Sequence, residues 1–232
     1  MGKKSRLKKQ QQLAEQQKQR ARKAAPSPGL NTADSAVRLW QALIVFGLSF
    51  LLYANTIGHD YAMDDKIVIT ENSLVQDKGW EGIGDILTTD AFYGFFGEGY
   101  KLVEGGRYRP LSIVTFAIED EIFGPDNPEI SHFINVLLYA LCCLIVFLAL
   151  ERLFRGRAPT GIWLSVPFLA AVLYAAHPLH TEAVANIKGR DEIMGMLFAA
   201  LTLWSAVKMV ADKKPLWLVG VVGFYALALL SK

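Results

Sequence analysis

The chain has 232 residues, of which 52% are hydrophobic and 20% are charged, and its formal net charge is +2. Its mean hydropathy of +0.26 is high for a soluble domain of this size, and the apolar residues are gathered into long runs between charged stretches. Composition therefore excludes an ordinary soluble domain and predicts an integral membrane protein with several spanning helices.

Residues 1–37 are rich in Lys, Arg and Gln and end in a Pro- and Gly-containing linker. A basic segment before a first span usually stays in the cytoplasm and touches anionic headgroups, so we predict a cytoplasmic tail and no nucleic-acid partner. The first apolar run follows without a convincing small-residue cleavage site, which predicts an uncleaved anchor.

Residues 38–232 are predicted to form an all-α, multi-span membrane domain. The predicted spans are Trp40–Ile57, Phe133–Leu150, Ile162–Ala176, Ile193–Val210 and Leu216–Leu230. The adjacent Cys142 and Cys143 lie inside the second span, where neither a loop-closing disulfide nor a usual metal spacing fits them. We expect them to face lipid or a neighbouring helix.

The segment Leu111–Phe123 is too short and too acidic at one end to cross a bilayer, and it is predicted to be an amphipathic interfacial helix. With this segment outside the bilayer, the Arg152–Arg157 turn and the Lys208–Lys214 turn share the side of the N-terminal tail. The positive-inside rule favours that topology. It places the loops 58–132 and 177–192 on the extracytoplasmic side. Aromatic residues of the first loop predict further short interfacial helices resting on the headgroups, and these residues are Trp80, Phe92, Tyr93, Phe95, Phe96 and Tyr100.

Three stretches on these outer loops carry candidate chemistry. In the first, Asp64 and Asp65 are adjacent, so one pKa is expected to rise, and a carboxylate there suits either a general base or a cation ligand. A solvated acidic turn is the alternative. In the second, Arg109 precedes Pro110 and is suited to binding phosphate, with headgroup snorkelling as the alternative.

The third stretch runs from His177 to Glu192 and includes His180, Glu182 and Arg190. Its spacing matches no standard zinc motif, so we predict no metal. Ionisable groups at the mouth of two spans are costly unless they serve a site, which favours phosphate binding through Arg190 over a hydrated turn.

These pieces together resemble the GT-C glycosyltransferases of the protein O-mannosyltransferase type, and most of all the branch that adds tetratricopeptide repeats to a membrane domain (the TMTC family and its bacterial relatives). The resemblance runs in one order from Tyr53 to the end of the chain. Its motifs are Tyr53-Ala-Asn, Met63-Asp-Asp-Lys-Ile-Val-Ile-Thr-Glu-Asn, Tyr108-Arg-Pro-Leu-Ser, Phe123-Gly-Pro-Asp-Asn-Pro, His132-Phe-Ile-Asn-Val, His177-Pro-Leu-His-Thr-Glu-Ala-Val-Ala, Gly189-Arg-Asp-Glu and Ser231-Lys232.

The resemblance implies an inverting transfer of a mannose-type sugar from a polyprenyl-phosphate donor to a protein Ser/Thr hydroxyl. It makes Asp64 the general base and Asp65 its orienting neighbour. It makes Arg109, His177 and Arg190 the phosphate-binding residues, while Glu182 and His180 orient the acceptor or support the site. It implies no cofactor. The expected partners are membrane lipid, the lipid-linked sugar, a protein acceptor and subunits of a membrane complex.

The resemblance leaves open a non-catalytic membrane subunit whose outer loop docks an envelope or secreted partner. A transporter is disfavoured, since no repeated half is visible. We expect a bacterial inner membrane, with the endoplasmic reticulum as the alternative. The sequence shows neither the repeats nor the later spans of the family, so we expect the chain to be the N-terminal part of a longer protein.

Overall fold

The computed structural model describes residues 32–62, 64–97, 107–155 and 165–232. Most of the predicted basic tail, Met63 within the first motif, Tyr100 of the first loop and the start of the predicted span Ile162–Ala176 lie outside these ranges. The chain divides into two compact units, residues 1–39 and 40–232. In the first unit, the described residues form the opening turns of helix α1, Thr32–Tyr53, where Ser35 and Ala36 are exposed.

Three segments are long and apolar enough to cross a membrane: Ser35–Gly58, Pro128–Leu153 and Ile187–Asp212. They contain most of α1, all of helix α6 (Pro128–Leu153) and all of helix α9 (Arg190–Asp212). A 26-residue helix such as α6 extends about 39 Å, which exceeds the roughly 30 Å hydrocarbon core of a bilayer. The described ranges contain helices and no strand, so the prediction of an all-α membrane protein is confirmed.

Two further apolar helices are shorter than a usual span. Helix α7, Val166–Ala175, has 10 residues, and helix α10, Trp217–Ser231, has 15. Helix α10 packs antiparallel to α9. The Trp204 ring of α9 contacts Trp217 of α10, and Phe198 of α9 stacks on Phe224 of α10. Helix α7 lies within the last part of the predicted span Ile162–Ala176, and α10 covers nearly all of the predicted span Leu216–Leu230. Because both are shorter than a usual span, their crossing of the membrane stays a prediction.

The first predicted outer loop folds into a compact cap of short helices. After a 3-10 turn at Ala54–Gly58 and a π-helical turn at Lys66–Thr70, α2 spans Ser73–Gln76, a 3-10 turn spans Gly79–Gly82, α3 spans Ile83–Ile86 and α4 spans Tyr93–Phe96. The elements from Lys66 to Ile86 pack on helix α5, Pro110–Phe123, while α4 packs on α2 and on the π-helical turn, and the Ala54–Gly58 turn packs on α6. Their shared core includes Val75, Phe92, Ile113, Phe116 and Ala117, all buried.

Helix α5 confirms that Leu111–Phe123 is helical, and it begins at Pro110, a residue suited to the first helical turn. Its apolar side is covered by the cap, and the buried Glu119 lies on the same helix. Gly124, with φ of 83°, ends α5, and the chain then enters α6 at Pro128. The interfacial location of α5 stays a prediction.

A second core lies within the helical bundle. Residues of α1, α6 and α7 meet there, and the Tyr53 ring packs edge-on against Tyr139 with centroids 5.2 Å apart. Cys142 and Cys143 are free thiols buried in this region, which agrees with the helix-facing alternative predicted from the sequence. Helix α8, His180–Ala185, contributes Val184 to this core.

The segment after α8 joins the two cores. Val184 belongs to the bundle core, whereas Ile187, three residues later, belongs to the core of the cap. A 3-10 turn, Ile187–Gly189, then leads into α9. This turn therefore lies at the junction of the bundle and the cap, and it positions the candidate site.

Candidate functional site

The two aspartates of the first motif differ sharply in exposure. Asp65 is completely buried, and its carboxylate accepts hydrogen bonds from the backbone N–H groups of Ala62 and Lys188, both at 2.7 Å. The Asp64 side chain is 54% exposed and pairs with the Lys188 ammonium at 2.8 Å. Lys188 thus contacts both carboxylates, one through its backbone and one through its side chain.

Burial raises the pKa of Asp65 above its ordinary value, and the two backbone N–H groups partly oppose that rise. A raised pKa for one carboxyl of the pair was expected from mutual repulsion and loss of water. The rise falls on Asp65, and loss of water is its main cause, with the Asp64 charge a smaller contribution.

Lys188 is held in place by its neighbours in the turn. The Asn186 side chain accepts a second hydrogen bond from the Lys188 N–H at 3.2 Å, and the amide of Asn135 on α6 donates to the Ile187 carbonyl at 3.0 Å. A Cβ on Gly189 would lie 2.2 Å from the Ala183 carbonyl oxygen, so only glycine allows this close approach of backbone to backbone.

Arg190 is also completely buried, and its five N–H groups are all engaged. Its Nε donates to the Asn135 side-chain oxygen at 2.7 Å, and its two terminal nitrogens donate to Thr115, the Ser131 carbonyl and both Glu119 oxygens. The guanidinium also lies 4.2 Å from the Phe116 ring centroid. Arg190 therefore joins the cap helix α5 to α6 and α9.

This geometry bears on the predicted phosphate-binding role of Arg190, which stays a prediction. A guanidinium that donates all its N–H groups to protein acceptors has none left for a ligand unless those bonds break. The contacts of Arg190 join α9 to α5 and α6, two residues from Lys188.

Arg109 forms an ion pair with Asp191, the second residue of α9. Both line a cleft beside the acidic pair, together with Arg107 and the side chain of Lys188. Its wall is apolar at Val68, Phe92, Ile113 and Phe116. Three cationic side chains and one paired carboxylate therefore line one small cleft between the cap and the start of α9, and the excess of cationic side chains favours an anionic ligand.

His177 and His180 form a group separate from this cleft. The Tyr139 hydroxyl lies 2.8 Å from His180 Nδ1 and 3.0 Å from the Ala175 carbonyl, and the Tyr174 ring packs on His180 with centroids 4.4 Å apart. Burial, with help from neighbouring His177, lowers the pKa of His180. His177 is exposed and accepts a bond from the Leu179 N–H. Glu182 is exposed on α8.

The structure therefore links Asp64 and Asp65 through Lys188, which lines the same cleft as Arg109 and lies two residues from Arg190. In the described ranges, none of His177, His180 and Glu182 lines that cleft. The same ranges contain no group of three or more His, Cys, Asp or Glu side chains arranged to hold a metal ion.

Three residues of the site, Lys188, Asp191 and Glu119, were not predicted from the sequence. Lys188 and Asp191 lie inside the stretch from His177 to Glu192, but a single lysine or aspartate in a turn carries no distinguishing signal. Glu119 was grouped with the acidic end of α5. Its burial depends on Arg190, which is 71 residues away in sequence.

The fold thus defines the class of protein. It is an all-α membrane protein with an acidic pair and a cationic cleft at one end of its bundle. The chain is 34% identical to human protein O-mannosyl-transferase TMTC2 over 170 residues, which covers 72% of the chain and 18% of that relative. It is 31% identical to mouse protein O-mannosyl-transferase TMTC4 over 170 residues, covering 70% of the chain and 22% of the relative.

Human protein O-mannosyl-transferase TMTC1 is 31% identical over 166 residues, which covers 71% of the chain and 17% of that relative. No protein-family model matches the chain, and no solved structure gives a significant match. The aligned part of the chain belongs with the TMTC-type protein O-mannosyl-transferases, which confirms the resemblance noted in the motifs. The chain spans about a fifth of the length of these relatives.

Proposed function

We propose that the protein is a membrane glycosyltransferase of protein O-mannosylation. It transfers a mannose-type sugar from a polyprenyl-phosphate donor to a protein Ser/Thr hydroxyl, with inversion at the anomeric carbon. The names of the relatives support this reaction. Within the chain, the observation that carries the proposal is the exposed Asp64 carboxylate beside the cationic cleft.

Asp64 is the general base in this proposal. Its exposed carboxylate takes the proton from the acceptor hydroxyl while the acceptor oxygen forms a bond to the anomeric carbon. The bond from that carbon to the donor phosphate oxygen breaks, and its electron pair leaves with the polyprenyl phosphate. Asp65 supports this step by holding the backbone next to Asp64 in place, because its carboxylate accepts hydrogen bonds from the N–H groups of Ala62 and Lys188.

Arg109 stabilises the phosphate as negative charge develops on it, since its guanidinium lines the cleft and is partly exposed. His177 is retained as a second phosphate-binding candidate, with Glu182 and His180 near the acceptor. In this scheme Arg190 acts through the position of the turn at Ile187–Gly189. No metal or cofactor takes part, and subunits of a membrane complex stay candidate partners.

An extracytoplasmic location of the cleft is supported by the charges at the two ends of the long helices α6 and α9. Near the end of α6, Arg152 pairs with Asp212 at the end of α9, and Lys208, Lys213 and Lys214 lie close to that end in sequence. The acidic pair and Lys188 lie at the opposite end, where α9 begins. The positive-inside rule then places the cleft outside and the N-terminus in the cytoplasm. A bacterial inner membrane is the proposed location, with the endoplasmic reticulum as the alternative.

The test is mannose transfer from polyprenyl-phosphate mannose to an acceptor protein by the purified protein in liposomes. Asp64→Asn is expected to reduce transfer by at least about 100-fold, because general-base catalysis contributes that much or more. Asp77→Asn, which changes an exposed aspartate of the same cap, is the matched control and should leave transfer unchanged. Unaltered transfer by the Asp64 variant would remove the base assignment. A stable partner that copurifies with both variants, without transfer by the wild type, would support the non-catalytic subunit.

A further inference from the structure

Lys188 has a fixed backbone and a movable side chain. Its N–H is bound by both Asp65 and Asn186, and the glycine that follows cannot be replaced without moving the Ala183 carbonyl. Within the described residues, its ammonium pairs with the half-exposed Asp64 at 2.8 Å. The side chain can therefore exchange partners while the turn stays in place.

Of the other cations near the cleft, Arg107 is exposed and lies over the Phe92 ring, whereas Arg190 and Arg109 are held by protein partners. Arg190 donates all five of its N–H groups to buried protein acceptors. Arg109 is paired with Asp191, which is almost fully buried and would be left uncompensated if Arg109 moved away. Exposed ion pairs are weak, so of the two ion pairs at the cleft, Lys188–Asp64 is the one that an incoming anion can more easily replace.

We propose that Lys188 is a phosphate-binding residue for the lipid-linked donor, and that it exchanges its ion pair with Asp64 for the donor phosphate when the donor binds. The inference rests on the proposed function, and it adds a residue that the sequence motifs did not assign. The exchange links the two halves of the reaction. Donor binding frees Asp64 of its cation when that carboxylate has to accept the proton of the acceptor hydroxyl.

The charge on the leaving group favours the same exchange. A sugar-linked polyprenyl phosphate is a diester with one negative charge, whereas the released polyprenyl phosphate gains a second ionisable oxygen. The attraction of the Lys188 ammonium to the phosphate therefore increases along the reaction, which is the property that lowers a barrier.

The test is direct binding of a polyprenyl monophosphate to the purified protein in nanodiscs, without any sugar transfer. Lys188→Ala should weaken binding. Asp64→Asn should tighten it by about two- to fivefold, because the competing exposed ion pair, worth at most about a factor of five, is gone. In the double variant the gain should vanish, since the freed ammonium is absent. Lys188→Arg should recover most of the affinity.

Lys66→Ala is the matched control, because Lys66 belongs to the same cap and pairs with the exposed Glu71. It should leave binding unchanged. Inorganic phosphate serves as a second probe: binding of it alone, without a preference for the lipid, would show an unspecific anion site and overturn the donor assignment. An Asp64→Asn variant that binds the lipid phosphate no more tightly than the wild type would overturn the exchange, even where Lys188→Ala fails to fold.

The two proposals fail in different ways. If transfer requires Asp64 but lipid-phosphate affinity does not depend on Lys188, the exchange is wrong and the proposed function stands. If the Lys188 variants change lipid-phosphate affinity but the wild type transfers no sugar, the binding site is real and the transferase assignment is wrong.

Discussion

The buried ion pair between Arg190 and Glu119 predicts that a single conservative substitution, Glu119→Gln, strongly destabilises the protein. Glu119→Gln keeps the shape of the side chain but removes the charge that compensates a guanidinium with no exposed surface. Removing one partner of a buried pair typically costs about 3–5 kcal/mol, because the remaining charge is neither hydrated nor neutralised. The Ser131 hydroxyl would also lose its carboxylate acceptor.

For a chain of this length, about 1 kcal/mol corresponds to roughly 2–4 °C in Tm, so the expected decrease is roughly 6–20 °C. The assay is thermal unfolding of the purified protein in detergent, followed by tryptophan fluorescence. The matched control is Glu71→Gln, which breaks the Lys66–Glu71 pair at 3.3 Å. Both side chains of that pair are more than half exposed, so its loss should cost at most about 1 kcal/mol.

A double variant separates the charge from the contacts. Replacing Glu119 and Arg190 together by Met removes both charges and keeps apolar volume, and it should destabilise the protein less than Glu119→Gln does. If Glu119→Gln decreases Tm no more than the Glu71 control, the buried Arg190–Glu119 ion pair does not make the proposed contribution to stability. A double variant that is less stable than the single one would instead assign the stability to the neutral hydrogen bonds of Arg190.

Three further predictions concern the turn, the acidic pair and the histidine group. Gly189→Ala should decrease both Tm and transfer, because the new Cβ would meet the Ala183 carbonyl at 2.2 Å, whereas Gly223→Ala, with nothing within 4 Å, should be tolerated. The folded protein binds a proton at Asp65 more tightly than the unfolded chain, so stability should decrease as pH rises from 3.8 through the raised pKa. Asp65→Asn should flatten that slope in Tm measured from pH 4 to 7, and Asp77→Asn should not. Tyr139→Phe removes a hydroxyl bonded to the Ala175 carbonyl and His180, and it should cost about 0.5–1.5 kcal/mol in thermal unfolding.

The membrane helices could be predicted from the sequence because a span is a local property. An apolar run of about 20 residues commits its own backbone to a helix in lipid, whatever the rest of the chain does. The predicted runs Trp40–Ile57, Phe133–Leu150 and Ile193–Val210 accordingly lie inside the observed candidate spans. The predicted runs at α7 and α10 were apolar enough to be noticed, but their helices are shorter than a usual span.

The cap could be predicted only in part. Its aromatic residues predicted short helices, and α4 at Tyr93–Phe96 is one of them. The prediction placed those aromatics on the headgroups, whereas Phe92 is buried in a core shared with α5. Contacts of this kind join segments far apart in the sequence, and no local period of hydrophobicity reports them.

The different surroundings of Lys188 and Arg190 could not be predicted from the sequence for the same reason. Both are cations in one turn, two residues apart, and arginine is the better phosphate ligand on general grounds. What separates them is Glu119, whose carboxylate meets the Arg190 guanidinium inside the protein. That neutralisation leaves Arg190 as a buried contact and Lys188 as the residue that faces the acidic pair.

Asn135 connects these two roles and predicts how they depend on each other. Its side-chain oxygen accepts from Arg190 Nε at 2.7 Å, and its amide donates to the Ile187 carbonyl at 3.0 Å, one residue before Lys188. Asn135→Leu should therefore loosen the turn without changing any residue that lines the cleft. We expect weaker binding of polyprenyl monophosphate together with a lower Tm, and a second substitution, Lys188→Ala, should then add little further loss of affinity. Full additivity of the two losses would mean that Asn135 stabilises the fold without positioning Lys188.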